Sequence, residues 1–247
     1  MRNYIAAFFI IFSCHASATS QAEERLIAAL NSAKPGLSIQ TVTEGTFGRN
    51  GEQYIAAISA VDPVEPENGT EKLVLFKMVA GTPKFVAQTE PFDNSSRFGV
   101  APYFKNGILL LGGDASCGAV CHSATIYKFQ VRDGEYRLIG VEDSYVRSVL
   151  HNKDGVVDEA FLVTTTKSIN LLTNNVRYSG ESCRSSDSNP WDCAAKSKGS
   201  EKILSFVCDH IWTLENFSPD LFSDFEGKTK NLHGVINHDL RYIENKP

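Results

Sequence analysis

Residues 73–87 and 126–140 of this 247-residue chain carry one pattern twice. Sliding the first stretch by 53 positions brings Phe76 onto Phe129, Gly81 onto Gly134, Lys84 onto Arg137, Phe85 onto Leu138 and Val86 onto Ile139. Each copy reads strand, glycine turn, strand, which is a β-hairpin. A second set of turns interleaves with the first: Asn50-Gly51, Asn106-Gly107 and Asp154-Gly155, each followed by an apolar strand. Such pairs supply the positive φ angles that tight turns require. The glycines of this set lie 56 and 48 residues apart. A unit of roughly 50 residues, holding two hairpins, thus recurs about three times, with a degenerate fourth after Ser200. Four strands per unit at that period is the pattern of a β-propeller blade. A β-sandwich or a simple meander is the alternative.

Strand signals dominate the rest of the reading. Short β-branched or aromatic runs bounded by Gly, Asn, Asp or Pro predict strands at 54–61, 72–79, 84–88, 108–111, 125–132, 135–141, 160–166, 168–172 and 202–214. One short helix is predicted over 21–32, where good helix formers end before Pro35-Gly36. A helical turn is expected at 219–227. The fold class is therefore all-β, built from antiparallel hairpin repeats, propeller-like, with one short N-terminal helix.

Export is the next expectation. Arg2, an apolar run from Tyr4 to Phe12, and the small residues Ala16 and Ala18 read as a secretory signal peptide over 1–18. The run is far shorter than the roughly 20 residues that a membrane-spanning helix needs. The alternative is lipid anchoring through Cys14, although Phe12-Ser13 fits a lipoprotein site poorly. Cleavage after Ala18 leaves a single all-β domain, 19–247, located in the periplasm or secreted. The formal charge of −5 argues against nucleic acid, which calls for a basic face, and against anionic membrane surfaces.

In an oxidising compartment neighbouring cysteines are read first as disulfides. Cys117 with Cys121 closes a small ring, and Cys183 with Cys193 staples a polar loop over 179–200. Cys208 is then the odd one out, an inert thiol on the Leu204/Phe206/Cys208/His210/Trp212/Leu214 face. Pairing of Cys193 with Cys208 is the other connectivity considered.

Gly45-Thr-Phe-Gly-Arg-Asn-Gly-Glu-Gln-Tyr-Ile-Ala-Ala-Ile58 resembles the Asp/Asn-Gly-rich element of integrin-like FG-GAP propeller repeats, and Asn152-Lys-Asp-Gly-Val-Val-Asp158 is a closer copy. Residues 72–89, 125–141 and 168–174 are similar to a group of secreted bacterial proteins of unknown role. The resemblance spans residues 40–178 and implies a propeller; it brings no activity with it. FG-GAP loops bind Ca²⁺ through converging oxygens. Here Thr46, Gly48, Asn50 and Tyr54 stand at ligand positions in the first copy and Leu150 in the second, so no metal is assigned.

Catalytic signatures are sparse. Cys117-Gly-Ala-Val-Cys121-His122 has three residues between its cysteines, against two in haem attachment. His233 and His238, with His122, His151 and His210 scattered, lack zinc spacing. No Gly-x-Ser-x-Gly elbow occurs. Ser116 with His151, or Asp114 with Glu142 or Asp143, would have to be assembled in space. Asn68, Asn94 and Asn216 are glycan acceptors only in a eukaryotic host. The stapled loop leans toward binding, because Trp191 sits inside it and a pre-organised tryptophan makes an interface anchor; the alternative is that Trp191 caps the core. The function expected is an exported non-catalytic binding protein with no cofactor, its partner a protein or an envelope glycan. The rival is an exported hydrolase with active-site residues from separate hairpin repeats.

Overall fold

The computed structural model describes residues 21–61, 69–93, 98–116, 121–153, 156–185, 193–196 and 200–232. They form two antiparallel sheets with a short helix toward each end. Helix α1 (Gln21–Ala33) precedes β1 (Ser38–Phe47), β2 (Glu52–Ala60), β3 (Thr70–Val79) and β4 (Thr82–Gln88), which pair in that order, while β5 (Phe92–Asp93) lies beside β3. The second sheet runs from β6 (Phe98–Lys105) through β7 (Ile108–Ser116), β8 (Cys121–Arg132), β9 (Glu135–Lys153), β10 (Val156–Asn170) and β11 (Asn175–Ser185) to β12 (Cys193–Lys196). Strand β13 (Ser200–Ser205) also pairs with β11. The chain then passes a 3-10 turn, Leu214–Asn216, and forms helix α2 (Pro219–Lys228) shortly before the described part ends at Leu232.

The internal repeat holds down to its irregularities. Hairpin β3–β4 turns on Ala80-Gly81, with φ of 49° and 79°, and hairpin β8–β9 on Asp133-Gly134, with φ of 52° and 81°. Two consecutive left-handed residues match the twist of the flanking strands. Each hairpin also carries a bulge, between Leu75 and Phe76 in the first and between Lys128 and Phe129 in the second. Those positions are again offset by 53. A bulge re-aims the strand beyond it, so the two units share a bend as well as a turn.

The first unit, β1 to β4, is a four-stranded meander. The second unit does not separate from the third, because β9 is 19 residues long. Residues 135–147 of β9 pair with β8 and residues 140–153 with β10, so one strand ends the second unit and opens the third. The sheet is therefore continuous from β6 to β12. The two strands expected at 160–166 and 168–172 are one strand, β10, and the strand expected at 202–214 stops pairing at Ser205. Strands β1, β5, β6, β11 and β12 have no counterpart among the expected strands.

Burial follows the alternation of side chains across each strand. On β2 and β3, Tyr54, Ala56, Ile58, Leu73 and Leu75 face the main core, while Ile55, Val74 and Phe76 face outward onto Leu30 of α1. Both faces of the first sheet are covered, which is why β2 is buried continuously from Tyr54 to Ala60. The sheets meet at β1 and β6: Gly48 N–H donates to the Gly107 carbonyl at 3.0 Å, and a Cβ on Gly45 would sit 2.5 Å from Phe104 Cβ. The main core is filled by the C-terminal segment, whose Trp212, Leu214, Phe217 and Phe222 pack against both sheets. Ser218 caps α2 by accepting from Leu221 N–H at 3.1 Å, and Pro219 follows at the first helical position.

Candidate functional site

Two polar features stand out from this apolar interior. The first is a charged row on the inner face of the second sheet. Antiparallel register sets Asp143 of β9 opposite Lys167 of β10, and Lys167 opposite Tyr178 of β11. Directly opposite residues share a face, and this face is the one that carries Val141, Ile169 and Val176 into the core. Helix α2 lies across it. Phe222 enters the core and Glu226, one turn on, comes down on Lys167. The Lys167 ammonium bonds Glu226 Oε1 and lies 3.5 Å from Asp143 Oδ2, with only 8% of its side chain exposed.

Electrostatics here follow from burial. Burial raises the Glu226 pKa, against the pull of Lys167, and the charge of Asp143 raises it further. The Tyr178 phenol is pushed up to about 12, by burial first and then by the Glu226 and Asp143 charges. It remains a neutral donor, giving its proton to the Asn231 carbonyl at 2.7 Å. The ammonium is thus shared by two carboxylates and the hydroxyl is held by backbone. The group is a clasp that ties α2 and the chain beyond it to three adjacent strands. Glu226 also sits in the last turn of α2, where a carboxylate opposes the helix dipole; Lys167 offsets that.

The second feature is a groove along β4, with a cavity of about 300 Å³. Lys34, just past α1, and Glu215, in the 3-10 turn, stand at its walls, and its floor is β4 from Phe85 to Gln88. Strand β4 is the last in its sheet, so no described strand pairs with its far side. Gln88, opposite Val74 of the α1-covered face, also lines the groove; its Oε1 is sealed from solvent and has no hydrogen-bond partner among the described residues. Lys34 Nζ lies 4.7 Å above the Phe85 ring, a cation–π contact. Glu90 N–H donates to the Phe217 carbonyl at 3.0 Å and so fixes one end of the groove to the core plug.

The residues singled out by sequence are scattered. Residues 1–18 with Cys14, the Asp154-Gly155 turn, Cys117, Trp191, Asn68, Asn94, His233 and His238 lie outside the described residues. Cys121 begins β8 opposite Arg147, and Cys193 begins β12 opposite Ser185. Cys183, on β11 opposite Leu162, is buried and is not a free thiol. Cys208 is a free thiol, its S–H directed at the His210 carbonyl at 3.2 Å; burial raises its pKa. Glu142 and Asp143 point to opposite faces of β9: Glu142 pairs with Lys128 at 2.5 Å, while Asp143 joins the clasp. Asp114 pairs with Ala124 in the β7–β8 register, and Ser116 with His122. Among the described residues, no group of three or more His, Cys, Asp or Glu is placed to hold a metal ion, and no helix is long and apolar enough to cross a membrane.

Sequence reasoning missed both features. Lys167 sits in a run of Thr and Ser, where a charge reads as a solvated strand end. The groove draws on residues 34, 85–91 and 215, which no local pattern connects. Fold and site together define a class: an antiparallel β scaffold plugged by its C-terminal segment, with a polar groove on an open sheet edge. Compared with family models, with curated proteins and with solved structures, the chain finds no match in any of the three.

Proposed function

We propose that the chain is an exported, non-catalytic binding protein of the periplasm or cell envelope, whose partner is a protein or an envelope glycan. The observation that carries the reading is the groove along β4. It combines a concave surface, backbone groups on an unpaired strand edge and two exposed carboxylates, which are parts suited to holding a ligand. The charged row is already committed to holding α2 in place, and Glu142 and Asp143 face opposite ways, so neither supplies a paired acid and base.

Cys183 with Cys193 and Cys117 with Cys121 are the disulfide pairings in this reading. Trp191, between Cys183 and Cys193, is a second anchor for the partner. The matched turns and bulges of the two hairpins support descent from one repeated unit, and we read that unit as a degenerate FG-GAP-type repeat.

The test is affinity capture. The purified chain, immobilised, should retain a specific partner from envelope extract, and Trp191→Ala should weaken retention without lowering the melting temperature. A chain that retains nothing above a denatured control, or that turns over ester, glycoside or peptide substrates, overturns the reading.

A further inference from the structure

We infer that the β4 groove takes an extended peptide segment of a partner protein, carrying an arginine or lysine, which adds as a strand to the edge of the first sheet. This rests on the binding role proposed above and names the chemistry of its partner.

Two independent features of the groove lead there. The first is the edge. Pairing with β3 uses the backbone groups on one side of β4; alternate N–H and C=O groups point the other way, and no described strand meets them. An extended chain is the ligand that satisfies such a row, since its own N–H and C=O groups alternate at the same spacing. Half-buried Phe85 and Val86 gain cover when a strand lies beside them.

The second feature is the sign of the walls. Glu90 and Glu215 are exposed carboxylates with no ion-pair partner among the described residues. Both accept hydrogen bonds and neither donates. Lys34, the one cation of the lining, already lies against the Phe85 ring. An incoming group must therefore bring donors and positive charge. A guanidinium brings five N–H groups on a planar fork, and an ammonium brings three. A cavity of about 300 Å³ admits one such side chain with its stem.

The experiment uses capped hexapeptides that alternate valine and threonine around a central arginine, titrated into the full chain by fluorescence anisotropy. Exchanging arginine for glutamate should weaken binding about tenfold or more, and so should N-methylation of alternate backbone amides. Glu90→Gln with Glu215→Gln, both exposed and remote from the clasp, should erase most of the preference for arginine while leaving the melting temperature unchanged. Equal affinity for the arginine and glutamate peptides, no saturable binding, or saturation by a neutral oligosaccharide instead overturns the assignment. Two outcomes are separable. Capture from envelope extract that persists in the Glu90→Gln/Glu215→Gln chain leaves the binding role standing and removes the groove from it; a wild-type chain that captures nothing removes the role itself.

Discussion

Replacing Lys167 with methionine tests the clasp most directly. The side chain is 8% exposed, and its ammonium serves Glu226 and Asp143, whose side chains are 19% and 21% exposed. Methionine fills most of the same volume, so the loss is chiefly electrostatic. Two carboxylates remain facing each other without a cation, and breaking a buried pair in this way costs about 3–5 kcal/mol. In a domain of this size each kcal/mol lowers the melting temperature by about 2–4 °C, so the fall is on the order of 10 °C. The loss must depend on pH. Glu226 is raised above the ordinary carboxylate range even with Lys167 present. The folded state therefore binds its proton more tightly than the unfolded chain does. That contribution is complete below the unfolded pKa and disappears as pH rises through the raised value. Removing the cation raises Glu226 further, so the defect should be smaller at pH 4.5 than at pH 7.5. Urea melts of wild type, Lys167→Met, Glu226→Gln and the double variant, followed by circular dichroism at both pH values, measure it. The double variant should recover much of the loss at pH 7.5. A single-variant loss below about 1 kcal/mol at pH 7.5, or one that is the same at both pH values, would make Lys167 a solvated amine and refute the clasp.

Glycine positions separate strain from contact. A Cβ on Gly140 would lie 2.7 Å from the Ile169 carbonyl oxygen, whereas Gly81, at φ +79°, has open space around it. Gly140→Ala should cost about 1–3 kcal/mol, because backbone must move, and Gly81→Ala about 1 kcal/mol from φ alone; equal urea midpoints would contradict this. Trp212 has a buried Nε1 without a partner, so Trp212→Phe should cost clearly less than the about 3–5 kcal/mol expected for Phe217→Ala. Cys208, with its pKa raised by burial, should react slowly with a thiol reagent at pH 8 in the native chain and quickly in urea; fast native labelling would show that it is not shielded.

The hairpins were legible because turns are local chemistry. Gly81 and Gly134 sit at the second turn position in both copies, and the repeat offset even predicts where the bulges fall, though only pairing reveals that they are bulges. The misses have specific causes. Lys167 divides β10 in the sequence because a charge in mid-strand looks like an end; that charge is buried by groups from β9 and α2, which sequence cannot place beside it. Strand β6 contains Pro102, which argues against a central strand, and β6 is an edge of its sheet. The alternation from Leu204 to Leu214 is real but reports burial, not pairing. Beyond Ser205 the backbone bonds singly, Phe206 N–H to the Asn174 carbonyl and Leu138 N–H to the Trp212 carbonyl, as it crosses from one hairpin to the next.

Topology also decides where a partner can reach this scaffold. Of the lateral edges, β1 and β6 lie against each other, and the far side of β11 is shared by β12 and β13. The far side of β4, like the outer sides of the short strands β12 and β13, meets no described strand. An open edge is a hazard, and charge, proline and bulges are the usual protection. Here β4 has Pro83, Lys84 and the bulge opposite Leu75 and Phe76. Those devices alone would suit an edge with no role beyond staying unpaired. Glu90 and Glu215 do not belong among them. Two uncommitted carboxylates beside the edge separate a protected edge from a receptive one, because a basic strand satisfies both and a random apolar strand satisfies neither.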